Sequence, residues 1–371
     1  MSNSDKRGFV EGIWLRVKRF LSSSELALAL LVGILASCIA GVTILRGEEA
    51  WLKIFSTSWF NGLLVLLVVN VAFRFVGRIW GKKLTLISVG MLLFHLCFVS
   101  IFLGIVYNSM FGFFGKMRLT EGETLLNSDL IGYDQISHGR FYDMSQFKGY
   151  TTLISMHKGY KVEDQDKMVA YEVMVGEGAN VTQDIIYITK SLVHDGYKFM
   201  RDKEGYSILV ALYDKSGNYI YGGFIPLQSL MQEDGTYLYT TGTRVSPGSL
   251  PFPYFPSEPV FILNAAFSPS QFEERTGDVA FEVWPYSPDG TPHDQEALAN
   301  GVVHLGEKFQ AGDYQIALEE VRYWVGMDVR YDPGYPVILS SLWIGLAGLA
   351  LTFIGRLRVR RTKKPAETSV A

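Results

Sequence analysis

The sequence predicts an integral membrane protein with four transmembrane α-helices, three N-terminal and one C-terminal, plus a large extracytoplasmic antiparallel β-rich domain. Three observations carry this. The apolar residues, 48% of a 371-residue chain that is 19% charged, are gathered into four long runs instead of being spread evenly. Lysines and arginines cluster beside those runs. Between the third and fourth runs, residues 110–335 form short aromatic and β-branched segments punctuated by turn residues.

Residues 1–24 are polar and basic, with Lys6, Arg7, Arg16, Lys18 and Arg19 ahead of the first run, which assigns them to the cytoplasm. The first span, about residues 26–45, follows Ser22-Ser23-Ser24-Glu25, a helix cap with a first-turn acid. Within it Leu35-Ala36-Ser37-Cys38 resembles a lipobox, which would lipidate Cys38. Small residues recur in such helices for packing reasons alone, and the run is long for a signal peptide.

From Arg46 to Ser58 the residues Trp51, Leu52, Ile54 and Phe55 mark a short amphipathic segment, and Trp59 fits an aromatic belt. The second span, about 59–77, carries Asn70, read as an interhelical hydrogen-bonding residue, and ends in the basic turn Arg74, Arg78, Lys82, Lys83. The third span, about 84–107, is LTLISVGMLLFHLCFVSIFLGIVY. At ~1.5 Å per residue it crosses a ~30 Å hydrocarbon layer, and only His95 in it titrates near neutral pH.

In the exterior domain, strands are expected over Val169–Val175, Asp184–Thr189, Ser207–Tyr213, Tyr219–Phe224, Val279–Trp284 and Tyr314–Val321. Asp214-Lys215-Ser216-Gly217-Asn218 and Ser287-Pro288-Asp289-Gly290 read as hairpin turns. The aromatic and proline-rich stretch Pro247–Pro259 reads as a linker dividing the strands into two subdomains. The fourth span, 336–355, opens behind Pro333-Gly334-Tyr335-Pro336, and the tail 356–371 holds Arg356, Arg358, Arg360, Arg361, Lys363 and Lys364. The charged flanks agree on one topology, with both termini cytoplasmic and the large domain outside.

Several functions are excluded. A net charge of -3, with the basic residues spent beside the apolar runs, argues against nucleic acid. Cys38 and Cys97 both lie inside apolar runs, so no disulfide framework or thiolate metal site can be built. His138, His157, His194, His293 and His304 show no ligand spacing and read as surface or hydrogen-bonded residues. The acid pairs Glu48-Glu49, Glu273-Glu274 and Glu319-Glu320 read as solvated faces, and no residue is assigned a catalytic role. His95 has two readings. An imidazole in mid-membrane is costly without a partner, so it is either a ligand or a histidine hydrogen-bonded to neighbouring helices, helped by Ser88 or Ser100.

Several local sequences together resemble the ResB/CcsB proteins of the System II cytochrome c biogenesis pathway. Ser56–Arg78, STSWFNGLLVLLVVNVAFRFVGR, is similar to that family's second helix, and Phe94-His95-Leu96 with Gly104 to its third. Leu119-Thr120-Glu121-Gly122-Glu123-Thr124 is similar to the Gly-Glu segment that follows, and Val325–Gly334, VGMDVRYDPG, to the approach to the last helix. The resemblance covers nearly the whole chain and is thin between Asn180 and Gln310. It implies a protein of the bacterial cytoplasmic membrane with a periplasmic domain. It also implies one subunit, not self-sufficient, of a cytochrome c haem-lyase (synthetase) complex that delivers haem across the membrane and attaches it to apocytochrome c. The implied partner is a CcsA/ResC-type membrane subunit. By the same resemblance His95 is a candidate axial ligand to the iron of a transient haem b shared with that partner, because no other span carries a histidine. The competing reading is a non-catalytic membrane-anchored scaffold whose β domain docks an apocytochrome or another assembly factor.

Overall fold

The structure is a computed structural model that describes residues 3–45, 48–79, 85–163, 165–233, 235–242, 248–254, 257–270, 275–287 and 296–362. The chain divides into two compact units. One holds the helices and comprises Met1–Phe114, Ser137–Asp143 and Arg330–Ala371; the other is built of strands and comprises Gly115–Ile136 and Met144–Val329. The basic turn at Lys82 and Lys83, the Pro288–Gly290 turn, Glu273-Glu274, His293, Lys363 and Lys364 lie outside the described residues.

In the helical unit α1 spans Asn3–Leu21 and α2 spans Ser24–Thr43. The Ser23 hydroxyl caps α2 by accepting the Leu26 N–H at 3.0 Å, with Glu25 in the first turn, as the serine run predicts. The short α3, Glu48–Ala50, runs into one π-helical turn, Trp51–Phe55. There Ile54 is buried against Phe60, Leu64 and Val106, so the amphipathic segment is packed onto other helices on one side. α4 spans Ser58–Ile79, α5 Leu86–Phe111 and α6 Tyr335–Thr362. A Thr85–Ser88 capping box sets the start of α5. Ser24–Thr43, Leu86–Phe111 and Tyr335–Arg360 are long and apolar enough to cross a membrane, and α4 is apolar over Ser58–Arg74.

Two features of this unit differ from expectation. The basic N-terminus is largely helical, with Trp14 of α1 set edge-on to Phe73 of α4 at 6.3 Å. The tail residues Arg356, Arg358 and Arg360 are the last turns of α6 and not a separate segment, because arginine is a good helix former.

α5 and α6 run antiparallel along a seam of small residues. A Cβ built on Gly90 would stand 2.4 Å from Thr352 Oγ1 and 2.5 Å from the Gly348 carbonyl oxygen. At the other end, one built on Gly334 would stand 2.1 Å from the Gly104 carbonyl oxygen, and between them one on Gly345 would meet Cys97 Sγ at 2.4 Å. Without side chains at these points the two backbones touch, the usual way helices associate where no hydrophobic effect separates them from lipid.

The strand unit is a sandwich. Its seven-stranded sheet has the order Tyr219–Pro226, Tyr197–Asp214, Tyr314–Tyr331, Phe113–Thr120, Tyr133–His138, with Leu192–His194 and Lys308–Ala311 paired alongside. A six-stranded sheet has the order Gln228–Met231, Tyr237–Thr240, Phe261–Pro269, Gly277–Pro285, Ala299–His304, with Leu250–Phe252 also on Phe261–Pro269. Alternate residues Ile208, Val210 and Leu212 of the first sheet share a core with Phe261, Leu263, Phe267, Val279 and Phe281 of the second. A four-stranded antiparallel sheet of Thr124–Leu126, Tyr150–Lys158, Val169–Glu177 and Asn180–Tyr187 and a two-stranded ribbon of Lys161–Val162 and Gln165–Asp166 complete the unit.

The Asp214–Asn218 turn is present, with Asp214 Oδ1 accepting the Ser216 and Asn218 N–H groups at 2.8 Å. Pro247–Pro259 is not a plain linker between strand sets. Leu250–Phe252 is a strand in register with Phe261–Leu263, and strands of the first sheet lie on both sides of it in the chain. Two strands are far longer than expected, Tyr197–Asp214 and Tyr314–Tyr331; the first pairs with Leu192–His194 at one end and Tyr219–Pro226 at the other and runs through the polar Arg201–Glu204 between them.

Candidate functional site

His95 is the tenth of the 26 residues of α5. Its Nδ1 is 2.7 Å from the Met91 carbonyl oxygen one turn back. A carbonyl can only accept, so Nδ1 carries the proton and Nε2 is the basic nitrogen, the one through which a ring held in this way ligates iron. The ring also stands edge-on to Phe94, with centroids 5.9 Å apart.

The helix period shows which way this residue faces. At about 100° per residue, Gly90, Cys97 and Gly104 fall on one stripe, and it is the stripe against α6. His95 falls about 140–180° away from it. It shares a stripe, to within about 40°, with Phe102 and Ser109. Further along α5, Phe102 packs into the cluster around Leu64 of α4, and Ser109 accepts the Asn61 amide at 2.9 Å. At the level of His95 the neighbours on that side, Met91 and Phe98, are both 41% exposed. The half-buried imidazole therefore sits on an apolar helix face that this chain leaves partly uncovered.

Other polar groups in the helices have structural partners. Asn70 is buried and donates to the carbonyl oxygens of Leu21 (2.6 Å) and Ser23 (3.0 Å), tying α4 to the α1–α2 junction, which is the interhelical role read from its sequence. Ser88 is spent on the α5 cap. Cys38 is half-buried against the Ile54–Phe60 cluster, Cys97 is buried on Gly345, and both are free thiols. Asn61, buried on the opposite turn from Ser109, was not singled out by sequence. The signal was there, an amide inside an apolar run, the same one that marked Asn70.

The segments that carried the family resemblance have definite structural work. In Leu119–Thr124 the Glu121 carboxylate is buried and accepts the Met156 N–H at 2.7 Å and the Arg275 guanidinium at 3.1 Å. Arg322 donates to the Glu121 backbone carbonyl at 2.9 Å, and Gly122 turns the chain with φ 80°. In Val325–Gly334, Asn108 at the end of α5 donates to Asp332 Oδ1 at 3.0 Å and accepts the Gly334 N–H at 3.2 Å, which seats the first turn of α6.

The other described histidines have local partners. His138 bonds the Gly139 carbonyl, His157 the Ser155 hydroxyl, His194 the Thr182 hydroxyl, and His304 the Asp278 carboxylate. Asp278 raises the His304 pKa above its ordinary value through that hydrogen bond and its charge. Ser155 lies between His157 and Glu172, the acid on the hydroxyl and not on the far ring nitrogen, so the three do not form a proton relay. Among the described residues no group of three His, Cys, Asp or Glu side chains is placed to hold a metal ion. No protein-family model matches the chain, and no curated protein matches it.

Proposed function

We propose that this chain is a ResB/CcsB-like membrane subunit that handles haem during cytochrome c assembly, together with a CcsA/ResC-type partner and for delivery to apocytochrome c. The observation that supports it best is the state of His95: a ring whose Nδ1 proton is held by the Met91 carbonyl, on an α5 face flanked by exposed Met91 and Phe98. A face on which Met91 and Phe98 are exposed leaves room beside the ring for a helix of the partner subunit. His95 would hold the iron of a haem shared between subunits, and the group would supply the iron and the vinyl carbons for thioether chemistry; the chain's own part would be to present Nε2, orient the ring and keep an apolar shell around it. On this reading the N-terminal and C-terminal basic flanks are cytoplasmic and the sandwich faces the outside.

The test is co-expression of the full chain with a CcsA/ResC-type subunit, followed by visible spectra of the detergent-purified complex. His95→Ala should lower haem content several-fold and alter the reduced spectrum, and His95→Gly should regain both when imidazole is added. Haem of unchanged amount and spectrum in His95→Ala would reject the assignment and leave the scaffold reading.

A further inference from the structure

A cavity of about 560 Å³ lies in the helical unit, about the size of a small-molecule site. One wall is α4 over Ser58–Val69, ~16 Å of helix, with Val65, Leu66 and Val69 making it apolar. The other wall includes Ser109 near the end of α5, and Arg140 lines the same cavity.

The backbone on either side of Arg140 is held by its neighbours. The turn that carries it is fastened to the end of α5 by Gly139 N–H to Gly112 O (2.8 Å) and Phe141 N–H to Met110 O (2.9 Å). Gly139 lies so close that a Cβ on it would be 2.3 Å from the Met110 carbonyl, and Phe141 packs on Phe111 at 5.6 Å. Among the described residues no carboxylate pairs with Arg140. The cavity also borders Asn61, which is 4% exposed; its amide nitrogen is spent on Thr57 O and Ser109 Oγ, while its Oδ1 is buried without a partner. An exposed guanidinium without a carboxylate partner on a fastened turn, an unused buried acceptor and an apolar wall call for an amphiphile with one anionic head.

We propose that this cavity binds one membrane phospholipid, its phosphate on Arg140 and an acyl chain along Val65, Leu66 and Val69. The guanidinium matches a phosphate bidentately, and Asn61 Oδ1 favours a head group that brings a donor, such as glycerol or ethanolamine. α5 ends at Phe111, two residues past Ser109, so the polar end of the cavity stands where head groups lie once α4 and α5 are in a bilayer. A haem carboxylate shares the anionic chemistry. However, His95 is fourteen residues back from Ser109, about 21 Å along α5, so the cavity offers iron no histidine. The proposal needs only the bilayer reading of these helices and is independent of haem handling.

The test is native mass spectrometry of the detergent-purified full chain, as isolated and after delipidation and titration with phosphatidylglycerol or phosphatidylcholine. Wild type should hold one phospholipid per chain and rebind phosphatidylglycerol several-fold more tightly than phosphatidylcholine. Arg140→Gln should weaken rebinding about tenfold. Gly62→Leu, whose Cβ meets nothing within 4 Å, should fill the cavity and remove the bound lipid without lowering the melting temperature. His95→Ala should leave lipid occupancy at the wild-type value. Equal occupancy in wild type, Arg140→Gln and Gly62→Leu would overturn the proposal, as would loss of haem in place of lipid from those two variants.

Discussion

Replacing Gly90 by alanine sets one methyl group against the backbone of α6. The new Cβ would lie 2.4 Å from Thr352 Oγ1, 2.5 Å from Gly348 O and 2.7 Å from Thr352 N, where ordinary contact begins at 3.4 Å. Two of the three obstacles are main-chain atoms, so the helices must part by about 1 Å, and a gap of that size forfeits a quarter to a half of the dispersion energy across the seam. Overpacking of this kind costs about 1–3 kcal/mol. Alanine recovers about 0.5–1 kcal/mol over glycine in a helix, leaving a net loss of about 1–2 kcal/mol. Gly62→Ala on α4 is the control, because a Cβ there meets nothing within 4 Å and only the gain of about 0.5–1 kcal/mol remains. The two variants should therefore differ by about 2 kcal/mol, roughly thirtyfold in the unfolding equilibrium. Unfolding of the full chain in mixed micelles, followed by far-UV circular dichroism during titration with a denaturing detergent, reads this directly. If Gly90→Ala stabilises as Gly62→Ala does, α5 and α6 are not in backbone contact and the seam is wrong.

Two further outcomes concern the sandwich. Glu121→Ala strands the buried Met156 N–H and removes the carboxylate from Arg275, which should cost about 2–3 kcal/mol; Arg275, itself half-exposed, can turn to water and limits the loss. A melting temperature within a degree of wild type would refute that network. Burial pushes the half-buried Glu204 carboxyl above its ordinary value of 4.5, against a downward pull from Lys158. The folded state then holds the proton more tightly than the unfolded chain, so this contribution to stability is complete below the unfolded pKa and is lost as pH rises through the folded one. Melting temperatures measured from pH 4.5 to 7 should fall less steeply in Glu204→Gln than in wild type, and parallel profiles would remove the assignment.

The helical half was legible because its signals are long-range averages. Runs of apolar residues set α2, α4, α5 and α6 to within a few residues, apart from the C-terminal extension of α6, and the Ser23 cap is a local hydrogen bond that sequence states outright. Alternation exposed Val279–Trp284 for the same reason, since Val279, Phe281 and Val283 all face one core. It failed on Phe261–Pro269, where Asn264, Ala265 and Ala266 blur the period, although Ala265 is buried in register opposite Phe281. The α5–α6 seam was hidden for a different reason. It depends on two helices separated by residues 112–334, and glycine in a span carries no mark of the partner it will meet. The Arg140 cavity was illegible for the same reason: Asn61, Ser109 and Arg140 meet only after folding.

The seam also bears on the proposed ligand, because it fixes the rotation of α5. With Gly90, Cys97 and Gly104 against α6 and Ser109 against Asn61, α5 has no freedom to turn, and His95 is held on the Ser109 side, away from α6. His95 shares the Phe102–Ser109 stripe, which packs on α4 farther along the helix, but lies at a level where Met91 and Phe98 remain exposed. Its proton-bearing nitrogen bonds within its own helix, at Met91 O. That bond fixes the tautomer and leaves Nε2 as the nitrogen a second polypeptide's haem would use. The same geometry couples two experiments: by loosening the seam, Gly90→Ala should let α5 rotate and lower haem occupancy in the co-expressed complex, while Gly62→Ala leaves occupancy at the wild-type value. Full occupancy in Gly90→Ala, with its stability lowered as computed above, would separate the orientation of His95 from the seam.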